Sequence, residues 1–194
     1  FGMSFGLLVG FIPAGAQDHH DDRRPFVCNG TYTNRTINND LEVPVNGVCV
    51  LNHSHVTGDA KARRNAYFES NQSHLDGEVV GDAALTLYIR NHSVVMGNVL
   101  AEKTPQVLVY DSIINDSVAA TDAVAPGYGH FQVCGTTVGN SIAVAEVGPD
   151  VLIGDPAGGC AGNILSEGDL NVFAVSTDAE LTVRSNILRE GGLR

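Results

Sequence analysis

An all-β fold, a single-domain parallel β-solenoid of about eight coils, is what this sequence predicts. Three observations carry the expectation. A five-residue pattern returns at intervals of one coil, a column of Gly, Asn, Asp and Ser sits inside it, and aromatics are scarce, at 6% with no Trp. A narrow interior between facing sheets takes aliphatics and Gly rather than large rings.

The pattern starts at Ile37-Asn38-Asn39-Asp40-Leu41 and returns from Val56, Leu75, Val95, Ile114, Val138, Cys160 and Val183. Its first column is aliphatic but for Cys160, and its fifth reads Leu41, Ala60, Val79, Val99, Val118, Ile142, Ile164 and Ile187. Between them stand Asn39, Gly58, Gly77, Gly97, Asp116, Asn140, Gly162 and Ser185, spaced by 19, 19, 20, 19, 24, 22 and 23 residues. Gly, Asn and Asp tolerate left-handed backbone angles, so this column predicts a repeated bend. Runs with a period of two supply the other faces: Leu85–Ile89, Val107–Val109, Phe131–Val133 and Val151–Ile153. The longer late coils place insertions at loops, as at Ala123–His130 with its Pro126-Gly127. A β-sandwich would not predict one pattern returning at coil length.

Residues 1–16 read as the remnant of a secretory signal peptide, an apolar run ending in Pro13-Ala14-Gly15-Ala16. Residues 17–27 read as an acidic, His-rich leader, and 28–194 as the solenoid domain. The expected location is secreted, and no later segment has the roughly 18 apolar residues of a membrane span. The net charge of −11, with only Lys61 and Lys103 as lysines, argues against nucleic acid as a partner. Four cysteines suit an oxidising compartment. Cys28 and Cys49 lie 21 residues apart and Cys134 and Cys160 lie 26 apart, about one coil, so stacking predicts those two disulfides. A zinc site would want a C-x-x-C pair and suitably spaced histidines, and the sequence is read as offering neither.

The rungs, which read roughly as aliphatic-x-Gly-Asn/Asp-Val, resemble those of secreted bacterial right-handed parallel β-helix repeat proteins. They also look like those of the bactofilins, which form polymers. The resemblance implies a right-handed helix and a tendency to stack end to end.

Six N-x-S/T sequons stand at Asn29, Asn34, Asn52, Asn71, Asn91 and Asn115. Each is a glycan acceptor in a secreted protein, but Asn52, Asn71 and Asn91 keep the coil spacing and could instead form an amide ladder. Asp40, Asp59 and Glu78 share a column, a candidate Ca²⁺ site or simply a charged edge that discourages sheet pairing. A polysaccharide-cleaving site would need a basic residue beside these carboxylates; Lys61, Arg63 and Arg64 lie near, and a loop is the plainer reading of them. His19 would be the third residue after cleavage at Ala16, a candidate Cu(II) chelator, and a disordered leader is the plainer reading.

There is no Gly-x-Ser-x-Gly and no Cys/His nucleophile pattern, so no reaction is predicted. The expected function is an extracellular structural or assembly protein associating end to end. A carbohydrate-binding or polysaccharide-cleaving module is the alternative, and an ice-binding or adhesin module a further one.

Overall fold

The computed structural model describes residues 24–122, 129–148, 150–173, 180–190 and 192. In these residues 24 strands, numbered along the chain, form three sheets of eight. Sheet A stacks β1 (Phe26–Val27), β4 (Leu41–Val43), β7 (Ala60–Ala62), β10 (Val79–Asp82), β13 (Val99–Glu102), β16 (Val118–Thr121), β19 (Ile142–Ala145) and β22 (Leu170–Phe173). Sheet B stacks β2 (Gly30–Thr33), β5 (Val48–Asn52), β8 (Tyr67–Asn71), β11 (Thr86–Arg90), β14 (Gln106–Tyr110), β17 (His130–Cys134), β20 (Asp150–Ile153) and β23 (Glu180–Val183). Sheet C stacks β3 (Thr36–Ile37), β6 (His55–Val56), β9 (His74–Leu75), β12 (Val94–Val95), β15 (Ile113–Ile114), β18 (Thr137–Val138), β21 (Ile164–Leu165) and β24 (Ile187–Leu188).

The chain visits A, B and C in turn, so each strand pairs in parallel with the strand one coil away. The stack makes about 7 turns rather than the expected eight coils, because eight stacked strands span only seven steps. This is the parallel β-solenoid that the repeat predicts.

Pleating sends alternate side chains inward. Sheet C contributes Ile37, Val56, Leu75, Val95, Ile114, Val138 and Leu165 to the core, all buried. Sheet A faces them with Leu41, Ala60, Val79, Val99, Val118, Ile142 and Leu170, and sheet B with Phe68, Leu87, Val107, Phe131 and Val151. Each large aliphatic removed from water contributes roughly 1.5–3 kcal/mol, so in-register columns hold the stack.

The last two rungs depart from the expected alignment. Cys160 and Val183 are not in the first column; Leu165 and Leu188 pair there instead, with Val138 below them. Ile164 and Ile187 point outward, and Leu170 takes the fifth column beside Ile142. Two local features displaced the pattern. An excursion follows Gly154, with a 3₁₀ turn at Pro156–Gly158 and an Asp155–Cys160 bridge. The next corner also has one residue more, Ser166-Glu167-Gly168-Asp169.

The bend assignment is corrected too. Gly58, Gly77 and Gly97 do not have positive φ. Glycine is needed there because the corner of the rung below comes too close: a Cβ on Gly58 would lie 2.6 Å from the Asp40 nitrogen, and one on Gly77 2.7 Å from the Gly58 carbonyl carbon. Left-handed residues occupy the other two corners. Asn34, His53, Gln72, Asn91, His92, Asp111 and Gly135 turn sheet B into C, while Asn46, Asn65, Ala83, Lys103, Asp122 and Glu146 turn A into B.

Cys28 is joined to Cys49 and Cys134 to Cys160, with Cα–Cα distances of 5.4 and 4.9 Å. The first bond links adjacent coils, and the second ties the late excursion to the end of β17. The first strand begins at Phe26, two residues before the expected domain start. Phe26 and Tyr32 meet edge to face at 5.2 Å, with the Arg35 guanidinium 4.7 Å from the Phe26 ring. The signal remnant, most of the leader and the Ala123–Tyr128 stretch lie outside the described residues. Among the described residues no helix is long and apolar enough to cross a membrane.

Candidate functional site: the corners and outer faces

Three of the six sequons take equivalent places at the corner between sheets B and C, and Asn34 stands at the same corner one residue further along. Asn52, Asn71 and Asn91 stack outward as an amide ladder: Asn71 Nδ2 donates to Asn52 Oδ1 at 2.9 Å, and Asn91 Nδ2 to Asn71 Oδ1 at 2.8 Å. The middle residue, His53, Gln72 or His92, makes the left-handed turn. The serine of each sequon points inward and is buried. Ser54 and Ser73 donate their hydroxyls to the carbonyls of Asn52 and Asn71, both at 3.0 Å. They also accept from below, and the next serine up repeats the scheme: Ser54 N–H donates to Ser73 Oγ at 3.0 Å and Ser73 N–H to Ser93 Oγ at 3.2 Å. The run ends at Ser93, whose amide donates to the Arg90 carbonyl at 3.3 Å, and Thr136, Asn163 and Asn186 form a second run of the same kind in the later coils, with 2.9 and 3.0 Å bonds from the Thr136 and Asn163 amides. A buried N–H without a partner costs on the order of 1–3 kcal/mol, which is why the corner selects these residue types. The sequence reading missed this inward polar column, although the third residue of the sequons was its signal. Of the other sequon asparagines, Asn29 accepts weakly from the Val48 amide at 3.4 Å, and Asn34 and Asn115 are exposed.

Asp40, Asp59 and Glu78 line the corner between sheets C and A. Asp40 Oδ1 accepts the Asp59 amide at 3.0 Å, and Asp59 Oδ1 the Glu78 amide at 2.8 Å. Glu78 Oε1 accepts from the Asn98 side chain at 2.7 Å, and Asn98 Oδ1 takes the Ser117 amide at 3.1 Å. The acidic column is thus the start of a second rung-to-rung spine. Asp40, Asp59, Glu42 and Lys61 share an open groove of about 200 Å³. Arg63 instead pairs with Glu42 at 2.7 Å, which holds the guanidinium pKa above its usual value.

Sheet B carries the chain's aromatic face. The buried Glu69 carboxylate accepts the Tyr67 hydroxyl at 2.6 Å and two nitrogens of Arg90, at 2.9 and 2.6 Å. Burial first, then the bond to Glu69, pushes the Tyr67 hydroxyl well above the usual tyrosine range. Arg90 lies 5.0 Å over the Tyr88 ring, and Tyr88 meets Tyr110 edge to face at 5.8 Å. The Tyr110 hydroxyl donates to Gln132. Burial raises the Tyr110 pKa. Sheet A presents an open groove of about 340 Å³, floored by Val80, Leu100 and Ala119 and rimmed by Asp82 and Glu102.

On sheet C, His55 and His74 occupy register-matched positions, and both turn Nε2 toward Asp76. The distances are 3.0 Å from His55 to either carboxylate oxygen and 2.9 Å from His74 to Oδ1. The His55 hydrogen bond holds the Asp76 carboxyl below the usual carboxylate range. The sequence reading did not single these residues out, yet the 19-residue spacing of the two histidines is the coil period. His19 lies outside the described residues.

Comparison with known proteins stops at this geometry: no protein family, curated protein or solved structure matches the chain. The resemblance in rung pattern therefore extends to architecture alone, a parallel β-solenoid.

Proposed function

We propose that the chain is an extracellular structural protein, a rigid solenoid subunit that stacks end to end. The observation that carries this reading is the use of polar side chains. A polar spine along the corner between sheets C and A, shorter polar runs along the corner between B and C, and an amide ladder tie rung to rung, and two disulfides add covalent links suited to an oxidising location. The outermost described strands, β1–β3 and β22–β24, each have one sheet neighbour among the described residues, and Leu181 is half-exposed in a core column. A second copy in the same register would pair with such an edge. Light scattering and negative-stain microscopy of the secreted protein test the reading. Growth of rods with concentration is expected, and a concentration-independent monomer overturns stacking.

Sheet B favours a second reading, binding of an extended polysaccharide. Tyr88 and Tyr110 line the outer face of this sheet on neighbouring rungs, beside the hydrogen-bonding groups of Arg90 and Gln132. Retention on insoluble polysaccharide that is lost in a Tyr88→Ala/Tyr110→Ala variant is the expected result. Equal retention of the variant rejects it.

A further inference from the structure

We propose that His55, His74 and Asp76 form a binding site for a divalent transition-metal ion of the imidazole-preferring kind, Zn²⁺ above all. The two histidines open the two-residue strands β6 and β9 and lie side by side on the outer face of sheet C. Their rings meet at 5.2 Å between centroids and 74°, and both Nε2 atoms lie within 3.0 Å of the Asp76 carboxylate. Asp76, two residues beyond His74, brings its carboxylate to both, and one donor atom from each residue lies within 4.8 Å of the others.

The distances suit a small ion. Zinc bonds of about 2.0–2.1 Å in a tetrahedron put ligand atoms roughly 3.3 Å apart. The His–Asp separations of 2.9 and 3.0 Å need to open by only a few tenths of an ångström. Two imidazole nitrogens and one carboxylate oxygen leave a fourth position for water. This donor set discriminates against Ca²⁺, which takes six or more oxygens. Each imidazole would bind through Nε2 and keep its proton on Nδ1.

The backbone is already fixed for the task. The amides of His55, His74 and Asp76 donate to the carbonyls of Arg35, Ser54 and Val56 at 2.8, 2.8 and 2.9 Å. The side chains are about 42, 45 and 39% exposed, so an ion enters without opening the fold. The site is also bounded. The same column holds Thr36 one rung away on one side and Val94 on the other, neither of them an imidazole. A bound ion would clip the second rung of sheet C to the third.

Isothermal titration and thermal unfolding of the full chain with ZnCl₂, and with CaCl₂ in parallel, test the proposal. One Zn²⁺ per chain is expected, with Tm raised by roughly 5–10 °C at a hundredfold excess over Kd, while Ca²⁺ does neither. His74→Gln and His55→Gln each weaken zinc binding by about tenfold or more, without moving the metal-free Tm. Should either fail to fold, Asp76→Asn and the visible spectrum of the Co²⁺-loaded wild type give the same reading. A His19→Ala/His20→Ala variant keeps the site. Zinc binding that survives His55→Gln/His74→Gln, or that vanishes with His19 and His20, overturns the proposal, as does failure of the wild type to bind.

Discussion

The coils before Asp122 and those after Gly129 use the same three sheets but fill their corners differently. From Gly30 on the early coils run 19 or 20 residues, so every position has a counterpart one rung away, while Phe26 pairs with Leu41 only 15 residues on. The later ones run longer; from Asn140 to its stacking counterpart Gly168 the chain takes 28 residues. The inward columns remain continuous across both regions, from Ile37 to Leu165 in sheet C. The corners absorb the difference, through the Pro156–Gly158 turn and the extra residue before Leu170. Core packing sets where strands must return; it does not limit how much chain a corner may hold outside.

The largest effect should come from the bond that ties down this surplus. Cys134→Ser/Cys160→Ser is expected to lower stability by about 3 kcal/mol in urea denaturation, the loop-closure entropy of its 26 residues. Proteolysis should then cut near Pro156–Gly159. If Cys28→Ser/Cys49→Ser exposes that same segment equally, the bond is not a local clamp.

Positions within the corner between sheets C and A differ next, since close-approach glycines stand there in both regions, Gly58 and Gly77 early and Gly139 and Gly168 late. Gly77→Ala puts a methyl against Gly58 and Asp59 and should cost about 1–3 kcal/mol, whereas Asn140→Ala, where a side chain already fits, should cost under about 0.5 kcal/mol. Equal costs in thermal unfolding would remove the close-approach account. The smallest effect has the opposite sign. Ala83 holds φ at 51°, so Ala83→Gly should stabilise by about 0.5–1 kcal/mol, and a destabilised variant would contradict the left-handed corner.

This contrast also explains what the sequence disclosed. Val56, Leu75, Val95 and Ile114 recur at nearly constant spacing, and their column is visible without a structure. The match at Cys160–Ile164 was misleading because Gly162-Asn163 resembles a glycine corner, yet Asn163 belongs to the buried spine with Thr136. Composition cannot tell a glycine required by a neighbouring backbone from one required by its own φ. The Asn52, Asn71 and Asn91 sequons were plain, but the inward role of Ser54, Ser73 and Ser93 depends on which way the corner turns. The meeting of His55, His74 and Asp76 depends on register and rotamers, which a one-dimensional pattern carries only as a spacing.

Polar side chains, not only backbone ladders, bind rung to rung in both regions. Amide hydrogen exchange at Ser54, Ser73, Thr136 and Asn163 tests this directly, since each of these N–H groups donates to a side chain one coil away. Protection comparable to that of the neighbouring sheet amides is predicted at all four, in early and late coils alike. Exchange at the rate of an open loop at these positions would contradict it.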